Sequence, residues 1–503
     1  MRKPFTTWYP IIIAMLLCGQ SVAQAQLSDE RIEQAISDIK GFWYKEQRVS
    51  HWEHISGLSK SYPGGLTALA THALLVGGES PKDPRVARAL GYLQQADINR
   101  TYSISVRAQV ASMLESPVWD RQLRDDFAWL RKAASKRGTH GYKLQPTSNR
   151  IDHSTTHYAT LAFRAAARRK IQVSATYWTA LTKHLITHQL NDGGWNYDGN
   201  SSKQSKLSMT AACLTMLYIA KQQGQKSILI DKAIDRGLKW MDQGYSNDGD
   251  KYGYGWAAIQ RLGNLSGRTR FRNRDWFDEG AQWFIKRQEG NGRISGGDRM
   301  NVKTAFGLIF LSKGRGAFAC NKLIGPNNEW NDWDFDIYNL THQVGTTRLS
   351  PAKWQAVTFK SPDEQWNKAP VLYWSSAHPH LLNKDMHAKL KRYLDQGGML
   401  IANPVRGSPR FKTWIADLVN KLYPDHPMRT LPDDHLFFEA HHKIKGGSKL
   451  QVQSVAVENL EKIVLLPRGW GIALENGRTT SREHQLIENM VIAMMVFAQQ
   501  PDQ

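Results

Sequence analysis

Cysteine is nearly absent: three thiols in 503 residues cannot build a disulfide framework. Long apolar runs are equally scarce. Beyond the stretch from Ile11 to Leu17, no segment approaches the roughly 20 apolar residues that span a bilayer, which excludes a later membrane helix. Acidic residues are in deficit, 45 Asp and Glu against 66 Lys and Arg, giving a formal charge of +21 and a pI near 9.7. Such a balance favours polyanionic partners. No nucleic-acid recognition motif accompanies the charge, so nucleic acid is not expected.

The first residues have the three parts of a cleavable secretory signal over 1–25: Arg2 and Lys3, the apolar run, and Ala23-Gln24-Ala25 ahead of Gln26. Leu17 stands where a lipoprotein signal wants a small residue, so Cys18 is not expected to carry a lipid anchor. Cleavage would lower the charge to +19 and leave Cys213 and Cys320 as two buried, unlinked thiols. The expectation is a periplasmic or secreted protein. Polyanions in that setting are envelope glycans, lipopolysaccharide and anionic lipid headgroups.

What the chain does have is a repeat. Helices rich in Ala, Thr and Leu recur around Ala68, Ala108, Ala159, Ala211, Ala257 and Ala305, about 40 to 52 residues apart. Between them lie more polar segments, 84–95, 121–133, 173–189, 228–243 and 276–288, with apolar residues at three-and-four spacing. Small residues let six inner helices approach one another, the amphipathic segments form an outer layer, and Gly-rich turns at 138–141, 193–194 and 253–255 supply the tight connections. Six hairpins predict a closed α/α toroid over 26–315.

The run Gln189-Leu190-Asn191-Asp192-Gly193-Gly194-Trp195 resembles the QW repeat of squalene cyclases and prenyltransferases, and the inner helices resemble that family's toroid from about Ser28 to Lys313. The resemblance implies fold rather than chemistry. The family's Asp-x-Asp-Asp acid is not found, nor an evident Asp, Cys and His set for a zinc-bound thiol, nor a Gly-Cys-Gly-Glu-Gln thioester.

After Gly316 the pattern changes to short apolar strands alternating with amphipathic helices, which predicts an α/β domain with a largely parallel sheet over 316–503. Asn321-Lys322-Leu323, the segment 333–341, Ala369-Pro370-Val371-Leu372-Tyr373-Trp374-Ser375, Tyr393-Leu394-Asp395-Gln396-Gly397-Gly398 and Leu431-Pro432-Asp433-Asp434-His435 resemble the DUF4159 family. That family commonly follows a cyclase-like toroid, and the resemblance implies a flavodoxin-like sandwich similar to class I glutamine amidotransferases. A thiol mechanism of the amidotransferase kind is not expected, because the domain's one cysteine, Cys320, is placed ahead of its first strand.

Candidate ligand-binding residues fall in two groups. In the toroid cavity, His153 and His157 are four apart on one helical face, a spacing that can bind zinc, but no third ligand is evident and no metal is assigned. Asp192, Trp195, Tyr197 and Asp198 share the turn, with Tyr254 and Trp256 one unit later; aromatic faces beside carboxylates suit sugar rings. Turn formation and packing explain these residues too. On the second domain the rim at the strand ends offers Ser375, Ser376, His378, Asn403 and Arg406. No cofactor is implied and no catalytic residue is assigned. Three readings stay open: an exported binding or scaffold protein that recognises a glycan or an anionic lipid or polymer in the toroid cavity, a lyase or glycosidase acting on polysaccharide there, and, more distantly, a terpenoid cyclase.

Overall fold

The computed structural model describes residues 27–55, 61–144, 152–245, 253–296, 300–326, 333–348 and 351–499, so the expected signal at 1–25 lies outside the described residues. Among the described residues no helix is long and apolar enough to cross a membrane.

Six inner helices, α2 (Gly65–Val76), α4 (Thr101–Ser112), α6 (His153–Arg168), α8 (Leu207–Gln222), α10 (Tyr254–Ser266) and α12 (Met300–Gly314), each pack on the next, and α12 packs back on α2. Outside them run α1 (Asp29–Glu46), α3 (Pro84–Gln95), α5 (Pro117–Ala133), α7 (Ala175–Thr187), α9 (Ile228–Gly244) and α11 (Trp276–Ile285). Helix α1 is the outer helix that the periodicity alone did not supply. Its apolar residues Ile32, Ile36, Ile39 and Trp43 face the common core.

One latch recurs around the ring. The backbone N–H that ends each turn donates to a threonine on the following inner helix: Trp52 to Thr67 (3.1 Å), His140 to Thr156 (3.0 Å), Trp195 to Thr210 (3.0 Å) and Ile294 to Thr304 (3.0 Å). The turn's aromatic ring then reaches back to the preceding outer helix, with Trp52 Nε1 donating to Trp43 O and Trp195 Nε1 to Leu185 O; His140 Nε2 takes the same role on Leu130 O. The glutamines tie neighbours together: Gln47 donates to Arg85 O, Gln189 to Ala233 O, and Gln288 to Ala35 O, the last joining the final hairpin to the first helix. Gly193 (φ +94°) is required in its turn, since a Cβ there would lie 2.7 Å from the Arg236 carbonyl.

The helical ring ends at Gly314, and a seven-stranded sheet begins at β3 (Ala317–Leu323), after a small hairpin of β1 (Arg270–Phe271) and β2 (Arg274–Asp275). With β4 (Ala352–Val357), β5 (Val371–Ser376), β6 (Met399–Pro404), β7 (Arg429–Thr430), β8 (Gln453–Val457) and β9 (Leu460–Leu465), the order is β4-β3-β5-β6-β9-β8-β7. The first five are parallel, and the last two pairings, β9 with β8 and β8 with β7, are antiparallel. Helices α13 (Asp336–Thr347), α17 (Gly471–Glu475) and α18 (Arg482–Phe497) cover one face; α14 (Asp363–Trp366), α15 (Lys384–Asp395) and α16 (Pro409–Leu422) cover the other. Strand alternation sorts the two cores, Val371 and Tyr373 to one side and Leu372 and Trp374 to the other.

Strand β3 corrects the expectation that Cys320 precedes the sheet. Ala-Phe-Ala-Cys-Asn-Lys-Leu contains no β-branched residue, so it does not read as a strand, yet it is the second strand in from the edge and Cys320 is buried within it. Burial pushes that thiol well above its ordinary range.

Candidate functional site

Of the toroid residues singled out from the sequence, His157, Tyr254, Tyr197 and His153 come near one another, while Trp195 and Trp256 are core residues. His153 is fully buried; its Nδ1–H donates to Asn196 O at 2.6 Å, which leaves Nε2 as an acceptor facing His184 Nε2 at 3.1 Å. His157, on the same helix, turns instead to the Tyr254 hydroxyl at 3.0 Å, beside the stacked pair Tyr254–Tyr158. Asp192 caps its own turn through Gly194 N–H and Ser205, and accepts from Trp240 Nε1. Asp198 is paired with Lys203 near exposed Tyr197. Trp256 is edge-on to Phe310. No set of three or more His, Cys, Asp or Glu converges as metal ligands would among the described residues.

The rim residues of the second domain hold its loops in place. Asn403 Nδ2 donates to Ser375 Oγ, and Asn403 Oδ1 accepts from the N–H groups of Trp470 and Gly471. Ser376 Oγ meets His378 N–H and His380 Nε2. Arg406 is exposed on a backbone with φ +52°, in the left-handed region.

The large cavities lie elsewhere, where the carboxyl ends of the inner helices meet the α/β domain. Docking is close at that junction. Gly267, the α10 cap (φ +68°), accepts from Ala356 N–H at 2.9 Å, and a Cβ on it would sit 2.4 Å from the Trp354 ring. Trp354 Nε1 donates to Asn264 O and Lys353 Nζ to Gly314 O. Beside these contacts is a cavity of about 690 Å³, bounded by the ends of α6, α10 and α12 on one side and by α13 and β4 on the other. A second, of about 950 Å³, opens beside α8 and α9. Several charges around the second are paired, Lys221 with Asp231 and Asp334, and Arg268, which lines both cavities, with Asp242.

The first cavity is different. Arg164 and Arg168 of α6, Arg261 of α10 and Lys313 of α12 all line it, and among the described residues none of the four has a carboxylate partner. Arg164 Nε donates to Gln222, and Arg168 Nη2 donates to the Tyr338 hydroxyl at 2.8 Å. The Arg164 guanidinium lies 5.1 Å from the Tyr338 ring centroid. Nη2 of Arg164 and Nη1 of Arg261 are shielded from solvent with no hydrogen-bond partner. Lys313 is solvent-accessible through the cavity yet enclosed by protein, and burial together with Arg261 brings it down to about 8. Burial also lowers Arg164, to about 10. For Tyr338, burial pushes the phenol up, but Arg164 and Arg168 outweigh it and bring the group down to about 7. Asp29, Asp275 and Asp278 also line the cavity, but the group in contact with Arg164 and Arg168 is the Tyr338 phenol of the other domain.

Sequence reasoning missed these residues because they stand tens of positions apart in three repeats. A signal existed: basic residues recur near the same end of successive inner helices, at Arg164 and Arg168, Lys221, Arg261 and Lys313.

Two solved structures of the type II terpene cyclase MstE from Scytonema, both in complex with geranylgeranyl dihydroxybenzoate, are similar to this chain at 14% and 13% identity; each covers 57% of this chain and 97% of its own, with a TM-score of 0.37. No curated protein matches. Residues 323–494, which include Tyr338, match the family described as Domain of unknown function (DUF4159).

Proposed function

We propose that the chain is a binding protein for an anionic ligand, held in the cavity between the helical ring and the DUF4159 domain. One observation carries the reading: four cations converge with no carboxylate paired to any of them among the described residues, although Asp29, Asp275 and Asp278 also line the cavity, and two of the cations' nitrogens are desolvated and unpartnered. Uncompensated charge away from water is unfavourable, and a complementary anion removes the penalty. The volume of about 690 Å³ is in the range of small-molecule sites. Helix dipoles account for part of the pattern, since Arg168 and Lys313 stand in the last turns of their helices, where cations are favoured. They do not account for donors left without acceptors.

A polysaccharide-cleaving reading needs two carboxylates flanking a bond. Asp192 and Asp198 are instead occupied within their turn, which favours binding over that chemistry. We also propose export, on the signal-like leader, and a flavodoxin-like doubly wound architecture for the second domain; counted along the chain, its five parallel strands stand in the order 2-1-3-4-5.

Thermal shift tests the proposal. Sulfate, phosphate and citrate should raise the melting midpoint where neutral sugars do not, and Arg164→Gln should remove the effect while Arg392→Gln, at an exposed pair with Asp363 away from both cavities, keeps it. Stabilisation by neutral sugar alone would refute it. For export, the intact mass of the recovered protein should correspond to an amino terminus at Gln26.

A further inference from the structure

We infer that the group recognised in the junction cavity is a phosphoryl group, gripped by Arg164, Arg261 and Lys313 of the ring and by the Tyr338 hydroxyl of the DUF4159 domain. The inference rests on the anion-binding reading and narrows it. The argument is one of donor number and direction. A carboxylate has two oxygens in one plane and is saturated by a single bidentate guanidinium with one or two further donors. Here the donors come from three inner helices and, across the junction, from a fourth element, so they approach the cavity from more than one side. Arg164 and Arg261 each keep a nitrogen without an acceptor. Lys313 adds up to three N–H groups, with no hydrogen bond or ion pair of its own among the described residues. Tyr338 already accepts from Arg168 Nη2 at 2.8 Å, so in its neutral form its own O–H is left to donate outward. A tetrahedral phosphoryl group presents three terminal oxygens on different sides and carries up to two charges, which fits that surplus of donors and of positive charge.

The lining also includes apolar residues, Leu75, Met113, Phe277 and Phe318, the last two beside Lys353. A phosphoryl group on an apolar carrier and a small water-soluble phosphate share the chemistry at the cationic end. They differ in what those apolar residues contribute.

The test is titration calorimetry on the full chain with pyrophosphate, phenyl phosphate, citrate and a short-chain phosphatidic acid below its micelle concentration. Pyrophosphate and phenyl phosphate should bind at least about tenfold tighter than citrate. Arg261→Gln and Lys313→Met should each weaken them by about tenfold or more, and Tyr338→Phe should weaken them by a smaller factor. Circular dichroism checks that each variant is folded. Should Arg261→Gln fail to fold, Lys313→Met carries the test alone. Tighter binding of the phosphatidic acid than of pyrophosphate assigns the ligand an apolar carrier; equal binding assigns a free phosphate; either outcome supports the inference. If citrate binds as well as the phosphates and still depends on Arg261 and Lys313, the phosphoryl assignment is overturned and the anion site stands. Should no anion bind, or binding ignore both variants, the two fall together.

Discussion

Five imidazoles in the ring, His72, His140, His153, His157 and His184, are kept neutral by burial, with His140 and His153 lowered to about 4 and His184 to about 2. In the unfolded chain each titrates near 6.5, so below that pH the unfolded state takes up protons that the native state refuses, and stability falls as pH drops from 6.5 toward 4. Glu475, raised to about 7 by burial, works the opposite way, as do Asp126, Asp278 and Asp336, but His54, His342 and His484 are lowered by burial too and add to the five. Glu461, held at about 2 against its burial by hydrogen bonds from His435, Ser454 and Arg429, begins to matter only below about 4.5. Denaturant midpoints at pH 7, 5.5 and 4.5 should therefore decline steadily, and a flat profile would contradict the neutral imidazoles. Tyr338 supplies a second readout at the alkaline side. Its folded value of about 7 lies below the ordinary 10, so it adds stability as pH rises from 7 to 10. Ultraviolet difference absorbance should show one tyrosine ionising near neutrality, and Tyr338→Phe should remove that step. Little of this was legible residue by residue. Asp192 and Asp198 announce a turn because their chemistry is local, whereas the partners of Arg164 and Tyr338 are 170-odd positions apart and only the fold brings them together.

At the scale of elements the hairpins are cooperative units held by a few repeated contacts. Trp195 fills the junction completely and also satisfies Leu185 O, so Trp195→Ala removes both a large apolar volume and a buried hydrogen bond. The expected loss is about 3 to 5 kcal/mol, measured by chemical denaturation. Thr210→Val should cost less, about 1 to 2 kcal/mol, because it keeps the volume and orphans only the Trp195 N–H. A Trp195→Ala variant that melts like the parent would show that the ring is not latched there. These elements were largely legible because helical periodicity is written in each segment: 84–95 and 228–243 correspond to α3 and α9 almost to the residue. Strand β3 was not, since its burial comes from neighbouring β4 and β5 and not from its own composition. The short β8 was missed for a related reason: it pairs only across a two-residue turn with β9 and with the two-residue β7.

For the whole molecule, the junction decides whether ring and sheet act as one. The ring closes on itself through α12 against α2 and Gln288 on Ala35, so its fold does not need the second domain. The cationic chamber does need it, because Tyr338, Lys353 and Trp354 form its far side. Gly267 is the place to separate the two. Its positive φ and the 2.4 Å approach of Trp354 leave no room for a methyl group, while its own helix α10 ends there and can fold without the contact. Gly267→Ala should therefore push Trp354 off the cap and break the Ala356 N–H bond to Gly267 O while leaving both cores intact. Calorimetry should then resolve two transitions where the parent gives one, or widen the gap between two already present. Anion affinity should fall with the docking even though none of the four cations has been touched. Separated transitions with undiminished anion binding would place the binding site wholly within the ring and remove the DUF4159 domain from recognition.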